Sequence, residues 1–208
     1  NLIIDNCHAF FSKPIKGVYN CYSTRKFFGV PDGAYLIKDG LKINEKIPKD
    51  DSYNNCLHLI KQIDKGIHYG YEDSLKNEKR LCDSFKSMSR FTEIVLESLN
   101  YKEILKIRRR NFLLMHKLLN HINEFPINIR SKTHMYYPLL VMNTDLRYKL
   151  INEKVYNPYW WEHVLKLVPN SSIEYKLSKY TLMLPIDQRY NKKDIYNIAQ
   201  IVLRNLKK

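Results

Sequence analysis

Asp5-Asn6-Cys7-His8, Ser23-Thr24-Arg25-Lys26 and Asp32-Gly33-Ala34 are the stretches whose reading decides the fold. The first closes a short apolar run, Leu2-Ile3-Ile4, and so places a carboxylate at a strand end. The second puts a lysine in the loop after a further strand-like segment, and the third supplies a glycine turn. Singly, each has an ordinary reading. An aspartate after an apolar run caps a turn, a lysine beside an arginine is a solvated charge, and a histidine is hydrogen-bonded structure. In this order they also meet the requirements of one kind of chemistry.

That chemistry needs an anion beside a cationic ring nitrogen and an amine that reacts with an aldehyde, as in enzymes that use pyridoxal phosphate. A nearby carboxylate favours the protonated pyridine through direct Coulomb attraction; Asp5 is the candidate. His8 is placed to hydrogen-bond the ring's phenolic oxygen or to stack on its face. Lys26 is the candidate catalytic residue: it would hold the cofactor covalently and move the proton, which requires a partly neutral amine. Ser23, three residues earlier, is the candidate hydroxyl donor to the phosphate.

Asp5-Asn6-Cys7-His8-Ala9 resembles the Asp-Ala-Ala-His-Ala segment of DegT-type sugar aminotransferases, which have the aspartate-aminotransferase fold. In that family Glu-Gly-Gly follows the lysine by six to eight residues, and here those offsets hold Asp32, Gly33 and Ala34. Leu182-Met183-Leu184-Pro185-Ile186-Asp187-Gln188-Arg189-Tyr190 is similar to a late strand and loop of the family's small domain. Two departures stand out. Cys21 replaces the family's phosphate-binding serine, and Ala34 replaces its second glycine, which narrows the backbone freedom of the loop. The resemblance implies an α/β fold: the C-terminal part of a fold-type-I pyridoxal-phosphate transferase large domain (residues 1–100), followed by an α+β small domain with its leading helix (101–208). It also implies ping-pong transfer from a glutamate-like amino donor to a keto sugar, nucleotide-linked in the usual member, by a homodimer. Arg189 is the candidate clamp for a substrate carboxylate, by the planar fork of its guanidinium.

The rest of the chain agrees with a globular enzyme portion. Its 208 residues are 44% hydrophobic, enough for a sizeable core. No apolar run reaches the roughly 20 residues that span a bilayer. Cys7, Cys21, Cys56 and Cys82 form no Cys-x-x-Cys pair, and the seven histidines form no His-Glu-x-x-His. No metal site is expected, and scattered thiols read as reduced and cytoplasmic. Periodicity predicts strands at 2–5, 18–22, 34–38, 137–142 and 181–186. It predicts helices at 53–65, 72–98, from Asn100 towards Pro126, at 144–153 and at 194–206. Leu57, Ile60 and Ile63, then Phe91, Ile94 and Val95, mark the apolar faces of the first two helices.

Three other readings compete. One is a dehydration on the same cofactor, since fold does not fix reaction; the presence of Lys26 favours transamination, because dehydrating relatives tend to replace that lysine. Another is a cofactor-free binding or regulatory module, kept open by Cys21 and Ala34. The third is nucleic-acid binding, suggested by a net charge of +14 and 16 tyrosines. Arg108-Arg109-Arg110 weighs against the third, because successive helical residues point about 100° apart and make no flat patch. A basic cleft also draws an anionic sugar nucleotide. Tyr159-Trp160-Trp161 reads either as a sugar or ring pocket or as core and interface, and Ser87 and Ser89 as residues near a helix turn.

Overall fold

The computed structural model describes residues 2–43, 46–81, 84–130, 134–157 and 159–206. The chain divides into two compact units, Asn1–Tyr101 and Lys102–Lys208.

In the first unit, β1 (Ile3–Asp5), β2 (Tyr19–Ser23) and β3 (Ala34–Ile37) form one mixed sheet. β1 runs parallel to β2, with Asp5 opposite Cys21; β3 is antiparallel, with Ala34 opposite Ser23. Asn20 staples the connection from β1 to β2. The Asn20 side chain accepts from Ile15 N and donates to the Ile15 and Val18 carbonyls, each at 2.9 Å. Phe10, Phe11, Tyr22, Phe27 and Phe28 interlock edge-to-face over this sheet, with Tyr101 stacked on Phe10. Such pairs contribute about 0.5–1.5 kcal/mol each beyond their buried area.

Then come α1 (Leu57–Asp64), α2 (Tyr71–Leu81) and α3 (Arg90–Glu97). The helix expected over 72–98 is therefore two helices. Residues 82 and 83, Cys82 included, lie outside the described residues; after them, Ser87 bridges to Lys49 in parallel fashion. Ser89 takes extended backbone and caps α3 by accepting from Thr92 N. Serine competes for backbone hydrogen bonds and so breaks a helix where a cap is wanted. The apolar faces of α1 and α3 form as expected but face outward: Leu57, Ile60, Ile63, Phe91 and Ile94 are all exposed.

The second unit contains α4 (Tyr101–Leu119), β4 (Tyr136–Leu140), α5 (Leu146–Asn152), α6 (Val164–Leu167), α7 (Ile173–Tyr180), β5 (Thr181–Pro185) and α8 (Lys192–Leu206). β4 and β5 pair antiparallel, Tyr136 opposite Pro185. Phe112, Met115 and Leu119 of α4, Leu146 and Leu150 of α5, and Ile195, Ala199 and Val202 of α8 pack into one core with Tyr137, Leu139 and Leu184. The spacing of three and four residues on each helix is what a single buried stripe requires. α4 ends before Pro126 because Asn123 turns the chain, donating to Pro138 O (2.8 Å) and accepting from Leu140 N (2.9 Å). α8 starts on a reciprocal cap, Asn191 Oδ1 accepting from Lys193 N and Asp194 Oδ2 from Asn191 N. Among the described residues, no helix is long and apolar enough to cross a membrane.

Candidate active site

Asp5 stands at the C-terminal end of β1, beside the C-terminal end of parallel β2, where open α/β sheets bind their ligands. By strand alternation Asp5, Cys21 and Ser23 share one face of the sheet. Asp5 Oδ1 accepts from Cys7 N at 2.8 Å. The Cys7 thiol, then this amide, hold the Asp5 carboxyl below its ordinary range, and His8 and Lys26 add a smaller pull in the same direction. The thiol is pushed up to about 11, by burial first and then by Asp5, so it stays protonated as a donor.

Lys26 occupies an exposed turn and its Nζ lies 2.8 Å from His8 Nε2. Burial first, and Lys26 second, lower the His8 imidazole below its ordinary value, against the pull of Asp5. A neutral imidazole thus faces the amine, with an ionised carboxylate in the same cluster.

The turn that presents Lys26 is fixed from three directions. Phe27 N and Phe28 N both donate to Thr24 O, and the two phenyl rings, 4% and 6% exposed, anchor it in the aromatic cluster. Arg25 pairs with Glu78 of α2 at 3.3 Å, which turns the neighbouring cation away from the lysine's own contact. Asp32, 1% exposed, accepts from Ser89 N at 2.9 Å and Ser89 Oγ at 2.7 Å, while Thr24 Oγ1 donates to the Asp32 and Gly33 carbonyls. The Asp32-Gly33 pair therefore ties the lysine loop to the N-terminus of α3. Gly33 has φ +100°, and an added Cβ would meet Thr24 Oγ1 at 2.8 Å. One glycine is required here; the residue after it starts β3 and accommodates Ala34 without special backbone.

Asp5, His8 and Lys26 are thus brought together, while Ser23 is buried on the same sheet face at 8% exposure. Ser87 and Ser89 support α3 and its approach. Arg189 belongs to the second unit, where its Nε and Nη2 hold Asp187 at 2.9 and 3.0 Å. Of the arginine triplet, Arg108 is buried and donates to Gln188 and to Met135 O, Arg109 to Ile129 O, and Arg110 to Tyr190 O. Sequence reasoning missed the aromatic cluster and the Asp32–Ser89 tie. Phe10-Phe11 and Phe27-Phe28 were signals for the first; nothing local pairs residues 32 and 89.

The donor set fits pyridoxal phosphate: an anion kept ionised, a primary amine on an exposed turn and a neutral imidazole beside it. No protein family model matches the chain, and no curated protein matches it. Solved structures do. A DegT DnrJ EryC1 StrS aminotransferase from Brucella abortus superposes at TM-score 0.51 with 13% identity, over 98% of this chain and 56% of that one. Over the part it covers, the chain shares the fold of that aminotransferase. A sugar aminotransferase from Micromonospora echinospora gives TM-score 0.52 at 13% identity, covering 96% of this chain and 57% of that one. A Streptococcus pneumoniae protein described as a sugar aminotransferase, in its PMP form, gives 0.51 at 13% identity, with 99% and 59% covered. The chain spans just over half the length of each of these structures.

Proposed function

We propose that this chain is part of a pyridoxal-phosphate-dependent aminotransferase that transfers an amino group from a glutamate-like donor to a keto sugar, nucleotide-linked in the simplest case. The observation that carries this reading is the Asp5, His8 and Lys26 cluster at the C-terminal ends of two parallel strands. The fold of sugar aminotransferases supports it. Bound there, the cofactor would supply an electron sink. Asp5, kept ionised, would pair with a cationic ring nitrogen. Lys26 Nζ is the atom that carries the proton between positions, and His8 Nε2 orients that amine when it is free. Ser23 is assigned to the phosphate and Arg189 to a substrate carboxylate.

The active form is proposed to be a cytoplasmic homodimer. Ile60 and Ile63 of α1 and Phe91 of α3 line a groove with Tyr53 and Cys56, and a second copy is the partner assigned to this apolar face. The functional test is a half-reaction. The protein loaded with pyridoxal phosphate is mixed with glutamate, and 2-oxoglutarate is measured. Stoichiometric release that Lys26→Ala abolishes is expected; no release, or equal release from the variant, sinks the assignment.

A further inference from the structure

The charge of the chain is unevenly divided between its two units. Lys102–Lys208 holds 20 of the 35 lysines and arginines but 8 of the 21 aspartates and glutamates, and so +12 of the net +14. The arginine triplet of α4 brings little of this to the surface. Arg108 is buried, and Arg110 folds back on Asn111 Oδ1 and Tyr190 O. Arg109, half-buried, donates to Ile129 O, a neutral acceptor that leaves its charge uncancelled.

The surface cations of α4 come instead from residues spaced three, four and eight apart. At about 100° per residue, Lys102, Lys106, Arg109 and Lys117 lie within about 80° of one another around the helix, and at 1.5 Å per residue they extend over about 23 Å of its length. Lys102 and Lys117 are exposed, and the Lys106 side chain is 77% exposed. Arg108, Phe112, Met115 and Leu119 are buried on the opposite side, so the core of the second unit fixes which face α4 turns outward. The Arg109 contact with Ile129 O brings the exposed Arg130 up to the same stripe. Glu103, at the edge of the stripe, pairs with Lys106 at 3.4 Å. With that pair counted as cancelled, Lys102, Arg109, Lys117 and Arg130 still give the face a positive charge.

A straight row of cations along one helix face fits a rigid row of anions. A nucleic-acid duplex carries one negative charge per about 1.7 Å of its axis, so it offers phosphates to every cation of the stripe. A membrane surface fits less well, because a helix lying in lipid turns an apolar face to it, and the apolar face of α4 is spent on the core. A single strand fits less well too, because it needs aromatic platforms on which bases stack, and the exposed apolar residue within the stripe is Leu113. We propose that the face of α4 formed by Lys102, Lys106, Arg109 and Lys117, with Arg130 beside it, binds the phosphate backbone of a nucleic-acid duplex without reading its sequence. The face is separate from the residues assigned to the aminotransferase chemistry and does not rest on that reading.

The full chain is titrated into fluorescein-labelled DNA and RNA duplexes, each in two unrelated sequences, and binding is followed by anisotropy. Saturable binding that is equal for the two sequences is expected. Four neutralised phosphates would make the affinity fall on the order of 100-fold between about 50 and 200 mM salt. The triple variant Lys102→Gln, Lys106→Gln, Lys117→Gln is expected to flatten the salt slope by roughly 0.9 for each cation removed. A control of equal charge, Lys166→Gln, Lys192→Gln, Lys193→Gln, takes three exposed lysines from elsewhere in the same unit and is expected to keep the native slope. Tighter binding of DNA or of RNA names the duplex that the face prefers, and either supports it. The proposal is overturned if no duplex binds, or if the control variant loses as much as the α4 variant, since net charge and not this face would then be responsible. It is equally overturned if the single strand binds more tightly than its duplex, or if anionic phosphatidylserine vesicles bind and the duplexes do not. Lys26→Ala is expected to bind the duplex like the native chain, so cofactor capture and duplex binding stand or fall separately.

Discussion

Lys26 Nζ and His8 Nε2 are 2.8 Å apart, and a hydrogen bond at that distance requires one of the two nitrogens to accept. His8 is the group whose titration reports the contact. Its ordinary value of 6.5 is lowered by burial and then by Lys26. Replacing Lys26 with Met is expected to raise the His8 midpoint part of the way back, burial remaining. The imidazole C2 proton followed by NMR across the titration measures it. Between the lowered value and 6.5 the unfolded chain binds more protons than the folded one, so stability falls on acidification through that window. His8→Ala is expected to flatten that slope in urea unfolding measured across the same window, below 6.5. A native His8 midpoint above 6.5 would contradict the contact.

The buried Asp32 carboxylate depends on Ser89 for both of its side-chain hydrogen bonds described above. Ser89→Ala removes one of them and the α3 cap, at a cost of about 0.5–2 kcal/mol. Asp32→Ala leaves Ser89 N and Oγ without this acceptor, at about 1–3 kcal/mol for each buried unsatisfied group. Because the residues share the bonds, the double variant should cost less than the sum of the singles. Additive losses in chemical denaturation would mean that the two act apart.

Gly33→Ala meets both a φ of +100° and a side-chain contact at 2.8 Å. A loss of at least about 1–2 kcal/mol is expected from the backbone alone. Ala34→Gly, at the start of a strand, should cost about 0.5–1 kcal/mol. Melting temperatures of the two variants should therefore fall in that order. The reverse order would contradict the turn.

Ile63 is 84% exposed on α1. If a second copy covers the α1 and α3 face, Ile63→Asp places a charge in an apolar contact and shifts the sedimentation equilibrium from dimer to monomer. An unchanged distribution would remove this face from the interface.

Strand positions were legible to within a residue or two because apolar runs with turn residues on either side leave little choice. α8 was legible because Ile195, Ile198 and Val202 keep strict helical spacing down to a buried stripe. The break between α2 and α3 was not, since the periodicity continues through a segment whose course is set by contacts with Lys49 and Asp32. α7 was missed although Ser172 caps it, because only eight residues separate that cap from β5. Of the site, Asp5, His8 and Lys26 could be named from order and residue type. That the Lys26 turn is held by Asp32 and Ser89 depends on a contact across 57 residues, which no local pattern encodes.

The central claim is that Lys26 is the residue that captures pyridoxal phosphate. The direct measurement is borohydride reduction of the protein incubated with the cofactor, followed by peptide mass mapping. A single pyridoxyl adduct on the Lys26 peptide, with no comparable adduct in Lys26→Ala, is the predicted result. Labelling spread over the exposed lysines with Lys26 no more modified than the rest would contradict it.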